Sequence, residues 1–101
     1  MKFPDDMTEI LEGKRYSTAK ATLLAGDDYW DGHNFERHGR NTFLAMSPKR
    51  AYFLVHLTQW QGEAPRIEPI SRDEAMNRWE EMREHNVTYE EAFPGAVVED
   101  A

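Results

Sequence analysis

The stretch NTFLAMSPKRAYFLVHLTQW, residues 41–60, decides the fold, because it holds two runs of aromatic and β-branched residues around a short polar connector. Such runs are typical of β-strands, and a connector of two to five residues joins the strands of a hairpin. Pro48 suits the second position of a type I turn. We therefore predict a β-hairpin with strands at residues 41–46 and 51–59.

The connector also predicts the register of this hairpin. A four-residue loop, SPKR, places Met46 opposite Ala51 and Leu44 opposite Phe53. Because side chains alternate between the two faces of a strand, this pairing assigns each residue to a face. The face expected to be buried carries Thr42, Leu44, Phe53, Val55 and Leu57. The opposite face carries Asn41, Phe43, Tyr52, Leu54, His56, Thr58, Trp60 and, if the pairing extends that far, Arg37.

A second element is indicated by ISRDEAMNRWEEMREHN, residues 70–86. Ser71 followed three residues later by Glu74 is the capping-box pattern that begins a helix. Apolar residues then recur at helical spacing, so we predict one main helix over about residues 72–84. The apolar stripe, expected to pack on the sheet, consists of Ala75, Met76, Trp79 and Met82. The solvated acidic face consists of Asp73, Asn77, Glu80, Glu81 and Glu84.

The segment STAKATLLAG, residues 17–26, is consistent with a strand or a short helix. Ser17 as N-cap and Gly26 as C-cap favour a helix, whereas two threonines and alternating apolar residues favour a strand. A strand is preferred because a lone hairpin is a small platform for the later helix. The sequence thus predicts an α+β fold in a single small domain, residues 1–101. An antiparallel sheet of about three strands packs against one main helix on one face, and the loop of residues 26–41 covers the other face. Residues 1–8 and 95–101 are frayed.

Composition limits the classes of function. The chain has 101 residues, no Cys and a formal net charge of −7. A domain of this size has little room for an enclosed cofactor, and the lack of Cys fits a reducing compartment. No apolar run approaches the ~20 residues of a membrane span, and the N-terminus lacks the apolar region of a signal peptide. We expect a cytoplasmic protein that uses neither a cofactor nor a membrane.

The charge is unevenly distributed along the chain. Residues 33–50 carry four cations against one carboxylate, whereas residues 72–101 carry three Arg against nine carboxylates. Binding to a phosphate backbone requires clustered Lys and Arg. We therefore do not expect direct binding of nucleic acid, and any such contact would be confined to the central segment.

The stretch GDDYWDGHNFERHGRN, residues 26–41, concentrates charged and aromatic side chains. Zinc needs three or four converging ligands, and the spacing of His33 and His38 without Cys does not supply them, so no metal site is predicted. Acid–base cleavage of RNA would use His33, His38 and His56 with Arg37 or Arg40. The predicted register places His38 and His56 on opposite faces, so no catalytic residue is assigned. A phosphate site would use Arg37, Arg40, Lys49 and Arg50.

Two tryptophans outside this stretch are interpreted differently. Trp79 lies on the apolar stripe of the predicted helix and is assigned to the core. Trp60 lies in the polar stretch TQWQGE, where it either packs under the preceding loop or forms a contact point for a partner, since Trp and Arg dominate interface energies. Two candidate binding surfaces follow. The first consists of Arg37, Tyr52, His56 and Trp60, and the second of the carboxylates Glu80, Glu81 and Glu84.

Four stretches, GKRYSTAKATLLA, RNTFLAMSPKRAYFLVH, WQGE and IEPISRDEA, together resemble a small family of uncharacterised proteins. These occur in bacteria, archaea and their phages or mobile elements. The family pattern runs GKxYDT, then TLYxTxKGxYFL, then WQGE, then IxPLSxEEA. Here Ser17 stands in place of the usual Asp, and Pro48, Lys49 and Arg50 replace a Lys-Gly turn. The resemblance implies a compact sheet-and-helix protein often carried by mobile DNA, and it supplies no catalytic residue.

From these features we expect a non-enzymatic, acidic protein-binding module of a phage or mobile element. Its most concrete form is an inhibitor of a host defence complex, such as an anti-CRISPR protein, with carboxylates placed where a nucleic-acid-processing complex expects phosphates. The alternative is a small nucleic-acid-binding protein or a His-dependent RNase that uses the basic segment 33–50. A scaffold protein with no separate site is a third interpretation.

Overall fold

The fold is built mainly from short antiparallel strands. The computed structural model describes residues 2–27 and 40–101. In this part of the chain the strands are β1 (Thr8–Leu11), β2 (Lys14–Ser17), β3 (Thr22–Gly26), β4 (Arg40–Met46), β5 (Tyr52–Thr58), β6 (Arg66–Ile70) and β7 (Glu84–His85). The helices are α1 (Arg72–Glu81), between β6 and β7, and α2 (Tyr89–Ala92), after β7.

The strands form two sheets rather than one. Five of them pair antiparallel in the order β6-β5-β4-β3-β7, and β1 and β2 form a separate two-stranded sheet. The prediction of about three strands against one main helix is therefore wrong. Strands β1, β2 and β7 escaped prediction because they are short and carry charged residues, which are depleted in strands. Strand β6 contains Pro69, which is tolerated because β6 lies at the edge of the sheet.

The central hairpin, β4–β5, exists, but its predicted register is wrong by one residue. Leu44 pairs with Leu54, not with Phe53. Successive side chains along a strand point to opposite faces of the sheet. This shift therefore places the side chains of β4 on the opposite faces from those predicted, relative to β5.

The loop of the hairpin explains the shift. The Ser47 amide donates to the Ala51 carbonyl at 2.9 Å, so these two residues close the loop and three residues remain between them. The Arg50 amide donates to the Ser47 carbonyl, and Arg50 has a φ of 64°. A turn followed by one left-handed residue is the usual three-residue hairpin loop. The sequence suggested a four-residue loop because Arg is not a residue that normally signals positive φ.

Both faces of the five-stranded sheet are buried. The helix-side core lies between the sheet and the helices and consists of Leu24, Ala25, Leu44, Tyr52, Leu54, Ala75, Met82, Ala92 and Phe93. The hairpin-side core lies on the opposite face, next to the β1–β2 hairpin, and consists of Tyr16, Phe43, Ala45, Phe53, Val55 and Ile67.

The two-stranded sheet and the N-terminal segment cover the hairpin-side core. Tyr16 of β2 packs edge-on against Phe53, with ring centroids 5.5 Å apart, and Phe3 packs in the same way against Phe43 at 5.6 Å. The loop that we expected over one face, residues 26–41, lies largely outside the described residues. A carboxylate of β1 also protects the edge of the sheet, because Glu9 accepts a hydrogen bond from the Ile67 amide.

Helix α1 begins where the sequence predicts and ends earlier. The Ser71 hydroxyl accepts from the Glu74 amide at 3.1 Å, which confirms the N-cap. The helix ends at Glu81, because Met82 is extended with ψ of 140°. Glu84 then enters β7 and pairs with Gly26, so the predicted helical end at residue 84 is wrong.

The segment at residues 17–26 divides into a turn and a strand. The Ala21 amide donates to the Thr18 carbonyl, and β3 follows from Thr22. The strand favoured by the alternating apolar residues is therefore confirmed for residues 22–26.

Candidate binding surface at the end of the central hairpin

The structure separates the residues of the first predicted binding surface. Trp60 follows β5 and is 49% exposed, and His56 lies four residues earlier on β5 and is half-buried. Tyr52 belongs to the helix-side core, where its hydroxyl donates to the Ala92 carbonyl at 2.7 Å. It therefore holds α2 in place and is only 6% exposed. Arg37 lies outside the described residues.

A turn brings a carboxylate back beside Trp60. Gly62 has a φ of 89°, and the Glu63 amide donates to the Trp60 carbonyl at 3.2 Å. A left-handed residue at this position is readily supplied by Gly. The turn reverses the chain after β5, so Glu63 returns to the end of that strand. There the Thr58 hydroxyl donates to Glu63 Oε1 at 2.6 Å.

Glu63 in turn fixes an arginine of the neighbouring strand. The guanidinium of Arg40, at the start of β4, donates from Nε to Oε1 at 3.2 Å and from Nη2 to Oε2 at 2.7 Å. The carbon of the same guanidinium lies 5.6 Å from the centroid of the Trp60 ring. Paired hydrogen bonds of this kind orient a planar guanidinium, and its contact with the indole is a cation–π interaction. We call Arg40, Thr58, Trp60 and Glu63 the Trp60 cluster.

These contacts shift the titration of the two charged groups. The hydrogen bond from Arg40, followed by the one from Thr58, lowers the pKa of the Glu63 carboxyl below its ordinary value. The same hydrogen bond raises the pKa of Arg40. Both side chains are well exposed, so solvent screens the pair. The effect of the pairing is therefore mainly to orient Arg40.

A second polar row lies beside this cluster, across β4, β5 and β6. His56 Nε2 lies 2.9 Å from Glu68 Oε1, and His56 Nδ1 lies 3.3 Å from the Thr42 hydroxyl. Thr42 and His56 are direct cross-strand partners. Arg66 Nη1 also approaches Glu68 Oε1 at 3.7 Å. Cross-strand neighbours on one face are close enough for such contacts.

The order hydroxyl, imidazole, carboxylate is that of an activated nucleophile. A carboxylate accepts hydrogen bonds, so Nε2 carries the proton towards Glu68, and Nδ1 then accepts from Thr42. Both ring nitrogens of His56 are thus engaged by the protein. This arrangement disfavours the acid–base role considered for His56 and favours a polar row that fixes the ring at the end of the sheet.

A groove of about 360 Å³ runs between these two groups of residues. Most of its polar side chains are exposed or half-buried, and they are already paired with one another or with the neighbouring residues Asp27 and Glu68. The lining residues are Arg40, Asn41, Thr42, His56, Leu57, Thr58, Glu63, Ala64 and Arg66. The groove can accept polar groups of a partner at its rim, with Trp60 beside it as an apolar anchor.

The second predicted surface is divided between two elements. Glu80 and Glu81 are exposed at the end of α1, whereas Glu84 is half-buried on β7. The expectation that all three project from one helical face is therefore wrong. Glu91, farther along, accepts from Thr88 in the capping box of α2.

Sequence reasoning missed Glu63 and its partnership with Arg40. The signal was present in the WQGE stretch, because Gly two residues after Trp60 permits a tight turn that returns the next residue to the strand. The strand that carries the partner of Glu63 could not be predicted without knowing how β4 and β5 pair, because Arg40 and Glu63 are 23 positions apart.

Comparison of the chain with protein-family models, with curated proteins and with solved structures found no match. Within residues 2–27 and 40–101, no group of three or more His, Asp or Glu side chains is placed to hold a metal ion. Neither of the two helices described is long and apolar enough to cross a membrane.

Proposed function

We propose that this protein is a non-enzymatic protein-binding module that uses Trp60 as its main anchor. The observation that carries the proposal is an exposed indole beside an arginine that is already held in place. Trp60 is 49% exposed, and Glu63 fixes Arg40 against it through two hydrogen bonds. Trp and Arg are the residue types most often found at energetic hot spots of interfaces.

Preorganisation strengthens this argument. Binding usually costs free energy because flexible side chains lose rotamer freedom at the interface. In the Trp60 cluster, Thr58 also accepts from the Trp60 amide at 3.0 Å, so the backbone of the anchor is held as well as its neighbour. Binding a partner therefore requires less additional ordering of these groups, and so costs less free energy.

The charge of the chain indicates the kind of partner. A net charge of −7 attracts a basic protein surface and accelerates its association. We infer a partner that offers an apolar pocket for the indole within a basic surround. A nucleic-acid-processing complex of a host defence system has this chemistry. The more specific proposal is that the protein is a cytoplasmic inhibitor of anti-CRISPR type, carried by a phage or mobile element. Only the sequence resemblance and the composition support it.

The experiment compares matched variants against one captured partner. The native protein is immobilised, proteins retained from host lysate are identified, and the purified partner is titrated against each variant. Trp60→Ala should weaken binding by ~2 kcal/mol, about 30-fold. Ile10→Ala is the control, because Ile10 is an exposed apolar residue on the separate two-stranded sheet. It should change affinity less than about twofold.

Two further variants distinguish the binding surfaces. Arg40→Lys keeps the charge but cannot reproduce the paired hydrogen bonds to Glu63, so it should weaken binding moderately. The double variant Glu80→Lys with Glu81→Lys should reduce the association rate more than it increases the dissociation rate. If this double variant abolished binding while Trp60→Ala left it intact, the acidic end of α1 would be the interaction surface and the proposal would be wrong.

A further inference from the structure

A second groove lies at the opposite end of the central hairpin from the Trp60 cluster. It has a volume of about 570 Å³ and lies between the β1–β2 turn and the β4–β5 loop. We call it the basic groove. Its lining residues are Gly13, Lys14, Arg15, Tyr16, Ser47, Pro48, Lys49 and Ala51.

The charge of this groove is opposite to that of the whole chain. The chain carries 19 carboxylates against 12 Lys and Arg, yet the lining contains Lys14, Arg15 and Lys49 and no carboxylate. Among the residues that the structure describes, none of these three cations forms a salt bridge. Like charges that converge repel one another, so an anion between them would remove an unfavourable interaction.

Two hydroxyl groups add neutral donors to the lining. Ser47 Oγ accepts from the Ala51 amide at 3.0 Å, which leaves its proton available to donate. Tyr16 is only 7% exposed, and its hydroxyl makes no hydrogen bond with any residue in the described ranges. This hydroxyl is not closed off from solvent, so it is open to a ligand in the groove and can donate to an oxygen there.

The turns hold these groups at the groove. Glu12 and Gly13 have φ values of 54° and 78°, so the β1–β2 turn is the tight two-residue type with both residues left-handed. Arg50 closes the facing loop with its own positive φ. Lys14 directly follows one short turn and Lys49 lies in the other, so neither is carried on a long loop.

We propose that the basic groove binds the phosphate groups of a compact ligand of the nucleoside di- or triphosphate class. Phosphate oxygens accept from Arg, Lys and hydroxyl donors together, and three cations match the charge of a short phosphate chain. The volume lies within the usual ~300–1,000 Å³ range of small-molecule sites. Pro48, Ala51 and the Tyr16 ring provide apolar surface for the remainder of the ligand.

The size and charge of the chain favour a compact ligand over a nucleic-acid strand. Glu12 adjoins the groove at Gly13, and the net charge is −7. A long polyanion would extend past Lys14, Arg15 and Lys49 and come near Glu12 and other carboxylates of the chain. Charges interact over ~8 Å at physiological salt, so these carboxylates would repel it. A short phosphate chain avoids this repulsion.

Calorimetric titration tests the proposal with three probes at low salt. These are inorganic triphosphate, ATP without divalent metal, and an eight-residue oligothymidylate. We expect triphosphate and ATP to bind with one site per chain. Tighter binding of ATP would indicate a nucleotide, and equal binding would indicate that the phosphates alone are recognised. Failure of both to bind at millimolar concentration, or tighter binding of the oligonucleotide, would overturn the proposal.

Matched charge variants locate the site. Lys14→Gln with Lys49→Gln should weaken triphosphate binding at least about tenfold, because two charge-assisted contacts are lost. Lys2→Gln with Lys20→Gln removes the same charge from exposed positions outside the lining and should change affinity less than about threefold. Equal weakening by both pairs would show adventitious attraction and overturn the proposal. Trp60→Ala should leave triphosphate binding unchanged, so this test is independent of the proposed protein-binding function.

Discussion

The indole of Trp79 stacks on the imidazole of His85, with ring centroids 3.6 Å apart and 11° between the ring planes. The imidazole also approaches the backbone of the same residue, since His85 Nε2 lies 2.7 Å from the Trp79 carbonyl oxygen. A carbonyl only accepts, so Nε2 is the donor. The pair therefore joins the last turn of α1 to strand β7 at the edge of the sheet.

This relationship leads to a stability prediction. Trp79→Ala should lower the free energy of unfolding by ~3 kcal/mol, because it removes a large ring that packs on the helix-side core and on His85. Trp79→Phe should cost less, since much of the ring contact remains. Urea denaturation followed by circular dichroism measures both. Trp60→Ala is the matched control and should change stability by less than about 0.5 kcal/mol, because Trp60 is exposed.

The left-handed residue of the hairpin loop provides a second prediction. Arg50→Gly should raise the free energy of unfolding by ~1 kcal/mol, because Gly adopts the φ of 64° without the steric cost borne by Arg. Lys49→Gly, one residue earlier and without positive φ, should lower it by ~0.5–1 kcal/mol through the flexibility added to the unfolded chain. Thermal unfolding of the two variants under identical conditions distinguishes these signs. A gain for Lys49→Gly but none for Arg50→Gly would contradict the described loop.

The hydroxyl of Tyr52 supports a third prediction. Tyr52→Phe should cost ~1–2 kcal/mol, because it leaves the Ala92 carbonyl without its buried donor. Tyr16→Phe is the control, since the Tyr16 hydroxyl bonds to no described residue, and it should be nearly neutral in the absence of a ligand. Amide hydrogen exchange should accelerate in α2 for the first variant alone. Equal costs for both variants would show that the Tyr52 hydroxyl does not stabilise α2.

The Glu63 carboxyl supports a fourth prediction, about pH. The hydrogen bond from Arg40 lowers the pKa of this carboxyl in the folded state. Its contribution to stability is therefore present above the unfolded pKa, near ~4.3, and is lost as the pH falls through the lower folded value. NMR titration should show Glu63 ionising below the ordinary Glu range. Arg40→Gln should move this pKa upward, and Lys20→Gln, remote in sequence, should not. An unchanged Glu63 titration in Arg40→Gln would show that the pair does not form.

Local sequence patterns predicted those helices and strands that are determined by residues close together in the chain. The hairpin strands β4 and β5 follow from aromatic and β-branched runs on either side of a Pro-containing turn. The start of α1 follows from Ser71, whose side chain accepts from an amide three residues away. For Trp60 the sequence left two alternatives open, packing under the preceding loop or a contact point for a partner, and the structure shows it 49% exposed.

Other parts of the candidate site depended on contacts between distant residues. Arg40 meets Glu63 because the register of β4 and β5 brings the end of one strand beside the turn after the other. A one-residue error in the loop reverses the faces of a whole strand. Tyr52, which we predicted on a binding surface, is buried because α2 folds back over that face.

The sequence by itself determined a small acidic domain with a central hairpin and a capped helix, because composition, the alternation of side chains along a strand and helix capping depend on residues close together in the chain. Only the tertiary structure decided that the two-stranded sheet covers one face of the five-stranded sheet, that Glu84 joins a strand, and that Lys14 and Lys49 line one groove. These outcomes depend on which strands pair and on how each loop closes. Such choices are set by the packing of segments far apart in the chain, which no short pattern encodes.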